Sequence, residues 1–124
     1  MPAKGGSTVR RLRVLVVEDE AMVALGLEDM LAELGHEVVA TAAGLDKAMA
    51  AARDIAFDLG ILDINVRGKD TYAVADALAN RGIPFIFATG YEPSRLRHPY
   101  RDGAVLQKPY RKKDLREMIS VVVG

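Results

Sequence analysis

Leu12-Arg13-Val14-Leu15-Val16-Val17-Glu18-Asp19-Glu20 is the stretch on which the fold turns. Leu12 to Val17 ends in four consecutive apolar residues, the mark of a strand buried on both faces, and three acids follow at once. A strand buried in this way belongs inside a parallel sheet, which needs helical crossovers, and the chain beyond it alternates accordingly. Val23 to Leu34 has helical spacing, with Val23, Leu27, Met30, Leu31 and Leu34 on one side and Gly35 as its stop. Val38 to Ala42 reads as the second strand, Leu45 to Arg53 as an alanine-rich helix, and Phe57 to Leu62 as the third strand. Asp70 to Asn80 is a helix capped by Asp70 or Thr71, with Val74, Ala77 and Leu78 inward. Pro84 to Ala88 and Ala104 to Gln107 are the fourth and fifth strands, Pro84 being tolerable at a first position. Asp114 to Val122 is the last helix, with Leu115, Met118, Ile119 and Val122 inward. Tyr91 to Tyr100 holds two prolines and three positive side chains, which predicts a short or frayed helix at most. The fold class expected is therefore α/β: a doubly wound, five-stranded parallel sheet in the order 2-1-3-4-5, with helices on both faces in a flavodoxin-like three-layer sandwich.

The chain has 124 residues, half of them apolar, which suits one domain. Residues 1–9 carry Pro, a Gly pair and hydroxyls without periodicity and read as a disordered leader; residues 10–124 read as the domain, with no second domain expected after Gly124. The absence of cysteine excludes thiol catalysis, iron–sulfur ligation and zinc ribbons. Lys plus Arg and Asp plus Glu are 17 each, so the chain has no basic excess to displace counterions from nucleic acid, and nucleic acid is not an expected partner. No run approaches the length of a membrane span, and Met1 to Arg11 lacks the apolar stretch of a secretory signal. A soluble, cytoplasmic protein without a membrane partner is expected.

In open α/β sheets, sites form beyond the carboxyl ends of the strands, where the strand order reverses. Here that point lies between strands one and three. Strand one runs into Glu18-Asp19-Glu20, strand three into Asp63-Ile64-Asn65, strand four into Thr89-Gly90 and strand five into Lys108-Pro109. Two like charges at 4 Å repel by about 4 kcal/mol at an effective dielectric of 20, so converging acids must protonate or hold a cation. An all-oxygen set favours Mg²⁺ over zinc. Lys108 brings a compact positive charge suited to a carboxylate or a phosphoryl oxygen. Any one acid at a strand end is often no more than a solvated loop residue. Polar groups at the ends of four core strands together argue for a site.

Those positions resemble the signature of response-regulator receiver domains, over Arg10 to Gly124. The resemblance implies a CheY-like fold with Asp63 as phosphoacceptor and Mg²⁺ (or Mn²⁺) as cofactor. By the same likeness Asp19 and Asp63 hold the ion directly, Glu18 holds it through water, and the backbone carbonyl of Asn65 completes the set. Thr89 and Lys108 would bind the phosphoryl group, and Lys108-Pro109 is a candidate cis peptide. The donor implied is the phosphohistidine of a histidine kinase or histidine phosphotransferase, and the receiver of the signal is an unidentified downstream protein. On this reading the chain is no enzyme beyond promoting its own phosphotransfer and dephosphorylation. Phe87-Ala88-Thr89-Gly90-Tyr91, after Ile83-Pro84-Phe85, also resembles the "FAT GUY" subgroup, associated with HWE and HisKA2-type kinases.

The chain departs from the wider family in places. Val105 stands where many receivers carry a switching aromatic, and Gly90 follows Thr89 where a small non-glycine residue is usual. Gly90, Tyr91, Val105 and Tyr110 therefore mark a candidate switch or docking surface, with ordinary packing as the plainer reading of the two tyrosines. Val66-Arg67-Gly68-Lys69 makes the loop beside Asp63 basic and is expected to be flexible, and Thr89 to Tyr100 is expected to be the most mobile stretch. Ser94 to Arg101 reads as a solvated basic face, with docking as the sharper alternative. His36 and His98 read as solvated loop residues. A haloacid-dehalogenase-like phosphatase would need an aspartate at Asn65 and a threonine at Arg67. The acids after strand one would repel a flavin phosphate, and Gly68-Lys69 runs into Asp70 rather than the hydroxyl of a P-loop. The remaining alternative is a receiver-fold interaction module that works without phosphate.

Overall fold

The computed structural model describes residues 10–90 and 103–124. Strand β1 (Arg13–Val17) is flanked in parallel by β2 (Glu37–Ala42) and β3 (Leu59–Asp63). Two two-residue strands follow, β4 (Asn65–Val66) and β5 (Lys69–Asp70), paired only with each other in an antiparallel hairpin. Then β6 (Phe85–Thr89) pairs with β3, and β7 (Val105–Gln107) pairs with β6, both in parallel. The five-stranded order is β2-β1-β3-β6-β7, which is the doubly wound 2-1-3-4-5 arrangement once the hairpin is set aside.

Alternation along β1 builds two cores. Val14 and Val16 face one side with Leu27 and Leu31 of α1 (Ala21–Glu33) and Leu115 and Ile119 of α4 (Lys112–Val123). Leu15 and Val17 face the other, with Ala48 and Ala52 of α2 (Leu45–Asp54) and Val74 and Leu78 of α3 (Tyr72–Asn80). Gly60 of β3 lies so close to Leu78 that an added Cβ would collide with its Cδ2, so this crossing depends on the missing side chain.

Two helices end alike, for a reason visible in the sequence. Gly35 and Gly82 take positive φ, and the residues around them return hydrogen bonds to the last turn: His36 N–H to Leu31 O, Gly35 N–H to Ala32 O, Ile83 N–H to Leu78 O and Gly82 N–H to Ala79 O.

Several boundaries differ from expectation. The third strand begins at Leu59 and runs through Asp63, which is thus the last strand residue rather than the first loop residue. The third helix begins at Tyr72, because Lys69 and Asp70 are taken up by the hairpin. Four helices occur among the described residues. The expected leader (1–9), the helical segment Tyr91 to Tyr100, the basic run Ser94 to Arg101, Tyr91 and His98 lie outside them, as does most of the stretch expected to be mobile. His36 is a correction: it is buried, 8% exposed, and its Nδ1 accepts the Leu12 N–H at 3.1 Å. A histidine just past a helix-stopping glycine reads as loop, yet here that turn folds back under the start of the sheet.

Candidate functional site

Four strand ends deliver the polar groups, and backbone pairing aims them. Glu18 N–H still bonds Ala42 O of β2 at 3.0 Å, so the chain leaves β1 in register; Lys108 N–H bonds Thr89 O of β6 at 2.7 Å and does the same for β7. The peptide bond between Lys108 and Pro109 is cis. From these positions Lys108 Nζ reaches Glu18 Oε1 and Asp63 Oδ2, both at 2.9 Å. The other Glu18 oxygen accepts the Glu20 N–H at 3.0 Å, and Asp63 Oδ1 accepts the Asn65 N–H at 3.3 Å. Asp19 Oδ2 accepts the Arg67 N–H at 2.8 Å. Carboxylate oxygens of Glu18, Asp19 and Asp63 all lie within 4.8 Å of one another.

Burial makes this arrangement consequential. The Glu18 side chain is 4% exposed, Asp63 16% and Lys108 23%. Desolvation pushes the Glu18 carboxyl above its ordinary value despite its hydrogen bonds. The Arg67 N–H holds the Asp19 carboxyl below the usual range. Burial works against the Lys108 ammonium, but hydrogen bonds to Asp63 and Glu18 outweigh it and lift Lys108 above its ordinary value. Among the described residues, Glu18 and Asp63 thus share the Lys108 ammonium with Asp19 beside them, and the donor set is all oxygen. That chemistry fits a hard divalent cation such as Mg²⁺.

The remaining candidates fall around this centre. Thr89 is buried at the end of β6, one residue beyond the Ala88 that pairs with Asp63. Val105 is half-buried opposite Phe87, and Gly90 and Pro109 are exposed. Tyr110 is half-buried, and desolvation raises its hydroxyl pKa, with Lys108, Glu18 and Asp63 near enough to act on it.

The loop beside Asp63 is a correction. Arg67 (φ 50) and Gly68 (φ 80) form a two-residue turn with both φ positive, closing the hairpin of β4 and β5. Asn65 Oδ1 accepts the Gly68 N–H at 3.1 Å, and Asp19 grips the same turn through Arg67, so the segment is pinned. Sequence reasoning missed this because Arg-Gly is not the usual Asn-Gly hairpin signal and each strand has only two residues. It also offered Asp70 or Thr71 as the helix cap, and Asp70 Oδ1 does accept the Tyr72 N–H at 3.3 Å. Thr71 occupies that position but makes no side-chain cap bond; its hydroxyl donates to the Asp63 carbonyl at 2.6 Å.

This topology and this pocket define the receiver class of two-component signalling proteins, and residues 14–120 match the response regulator receiver domain family. The chain belongs to that family. The transcriptional regulatory protein PdtaR of Mycobacterium tuberculosis is 33% identical over 116 residues, covering 90% of this chain and 57% of PdtaR. SdrG from Sphingomonas melonis Fr1, solved in solution, is 36% identical with a TM-score of 0.83, covering 94% of this chain and 100% of that one. SdrG has also been solved in a BeF3-activated conformation, which matches at a TM-score of 0.79 and 37% identity, with the same coverage. The anti-anti-sigma factor PhyR from Bartonella quintana is 28% identical with a TM-score of 0.78, covering 89% of this chain and 46% of that one. The chain therefore spans about half the length of PdtaR and of that PhyR, and all of the solved SdrG chain. No helix among the described residues is long and apolar enough to cross a membrane.

Proposed function

We propose that Asp63 accepts a phosphoryl group from the phosphohistidine of a histidine kinase or histidine phosphotransferase in the cytoplasm. The observation that carries this reading is the Lys108 ammonium, 2.9 Å from both Asp63 and Glu18, in a pocket that gathers a third carboxylate from Asp19. An Asp63 oxygen forms a bond to phosphorus as the phosphorus–nitrogen bond of the donor breaks, leaving imidazole and an acyl phosphate. A carboxylate is a weak nucleophile, and the incoming group is itself an anion. The protein's contribution is therefore to hold the carboxylate in place and supply positive charge. Lys108 supplies fixed charge, and Asn65 N–H and Lys108 orient the two Asp63 oxygens. Asp19 and Asp63, the Asn65 carbonyl, and Glu18 through water are the groups that would hold Mg²⁺ or Mn²⁺, whose charge when bound offsets that of the phosphoryl oxygens.

Thr89 then hydrogen-bonds a phosphoryl oxygen and draws the chain after β6 toward the pocket, biasing the surface around Gly90, Tyr91 and Tyr110. The signal passes on through contact with a downstream protein or through relay of the phosphate, and water returns Asp63 to its free state. The chain turns over no other substrate. The Phe87-Ala88-Thr89-Gly90-Tyr91 stretch supports a donor of the HWE or HisKA2 kinase class. Incubation with acetyl phosphate and Mg²⁺ tests the proposal by mass spectrometry. A gain of one phosphoryl group, abolished in Asp63→Asn, is expected; an unchanged mass in the native chain overturns it.

A further inference from the structure

We infer that Thr71 is a positioning residue for the phosphoacceptor, a role that rests on the phosphotransfer reading above. Thr71 is fully buried, 0% exposed, at the start of α3. A threonine in that position ordinarily turns its hydroxyl onto the open N–H groups of the first turn. Here its hydroxyl makes no such bond, and the first N–H of the helix, that of Tyr72, is accepted by Asp70 Oδ1 at 3.3 Å. Instead Thr71 Oγ1 donates to the Asp63 carbonyl at 2.6 Å and lies 3.3 Å from the Ile64 carbonyl, while Thr71 N–H donates to Ile64 O at 2.8 Å. Both donors of one residue thus converge on the two carbonyls where the chain leaves the sheet.

The consequence is geometric. Asp63 is the last residue of β3, and just beyond it the chain leaves the five-stranded sheet for the β4–β5 hairpin. Lys108 and Asn65 N–H hold its carboxylate from the front. Thr71 holds its carbonyl from behind and fixes the peptide that leads into Asn65. A reacting oxygen displaced by about 1 Å can lose on the order of a hundredfold in rate, so a buried tether on the backbone of the nucleophile acts on the reaction without touching the phosphoryl group.

Thr71→Val separates this role from helix capping, since it removes the hydroxyl at nearly constant volume and that hydroxyl makes no bond to the first turn of α3. Thr71→Ser keeps the hydroxyl. With acetyl phosphate and Mg²⁺, T71V is expected to be phosphorylated roughly tenfold or more slowly than the native chain, and T71S within about threefold of it. Backbone amide shifts of Ile64 and Asn65, and the Mg²⁺ concentration at half-saturation, are expected to move in T71V and not in T71S. Native rates, shifts and Mg²⁺ response in T71V overturn the inference, as does a loss in T71S as large as in T71V. Should T71V fail to fold, Thr71→Ala, which also lacks the hydroxyl, takes its place. A native chain that takes up no phosphate refutes the phosphotransfer reading itself. In that event T71V shifts and Mg²⁺ response identical to native show separately that the tether does nothing.

Discussion

Lys108 and His36 show how burial turns a single side chain into a control point. The Lys108 ammonium is shared by Glu18 and Asp63, and both acids are largely withdrawn from solvent. Lys108→Ala is expected to leave a folded chain, judged by circular dichroism, whose phosphorylation by acetyl phosphate slows by about a hundredfold, the scale on which removing a preorganised charge partner acts. His36 works through stability instead. Burial lowers its pKa below the ordinary 6.5, and Nδ1 is engaged as an acceptor of the Leu12 N–H. Below about pH 6.5 the unfolded chain therefore binds the proton first. The His36 contribution is complete above that pH and is lost as the pH falls through the lowered folded value. Urea midpoints of the native chain should drop over this window more steeply than those of His36→Asn. Equal slopes would refute the assignment.

Among the elements, β3 carries the heaviest constraint, since it is paired on both sides and ends in Asp63, the proposed phosphoacceptor. Gly60→Ala places a methyl against the fully buried Leu78, so its side chain or α3 must give way; a loss of about 1–3 kcal/mol in urea denaturation is expected. The strands, their order and the acids at their ends were legible because buried parallel strands leave uninterrupted apolar runs and the winding rule places their carboxyl ends together. The hairpin was not legible: two-residue strands leave no periodicity, and its turn holds Arg67 at positive φ where Asn is the common choice. The tether from Thr71 was hidden for a different reason. A hydroxyl just before an apolar helical stripe looks the same whether it bonds forward to the helix or backward to the strand. The burial of His36 was equally invisible, because a lone histidine has no pattern of its own.

At the scale of the whole molecule, the sheet is both the scaffold of the pocket and a wall. The groups that meet at its carboxyl edge come from positions as far apart as Glu18 and Lys108, so the pocket exists only when the full winding is in place. The same sheet separates the core under α2 and α3 from the core under α1 and α4. Each half of the interior therefore answers to substitutions independently. Leu78→Ala and Ile119→Ala, on opposite sides, should combine to within about 0.3–0.5 kcal/mol of their separate costs, whereas Leu78→Ala with Val74→Ala should deviate measurably. The chain thus has two separately adjustable interiors meeting at one signalling edge, so adaptation on one face is free to proceed without retuning the other.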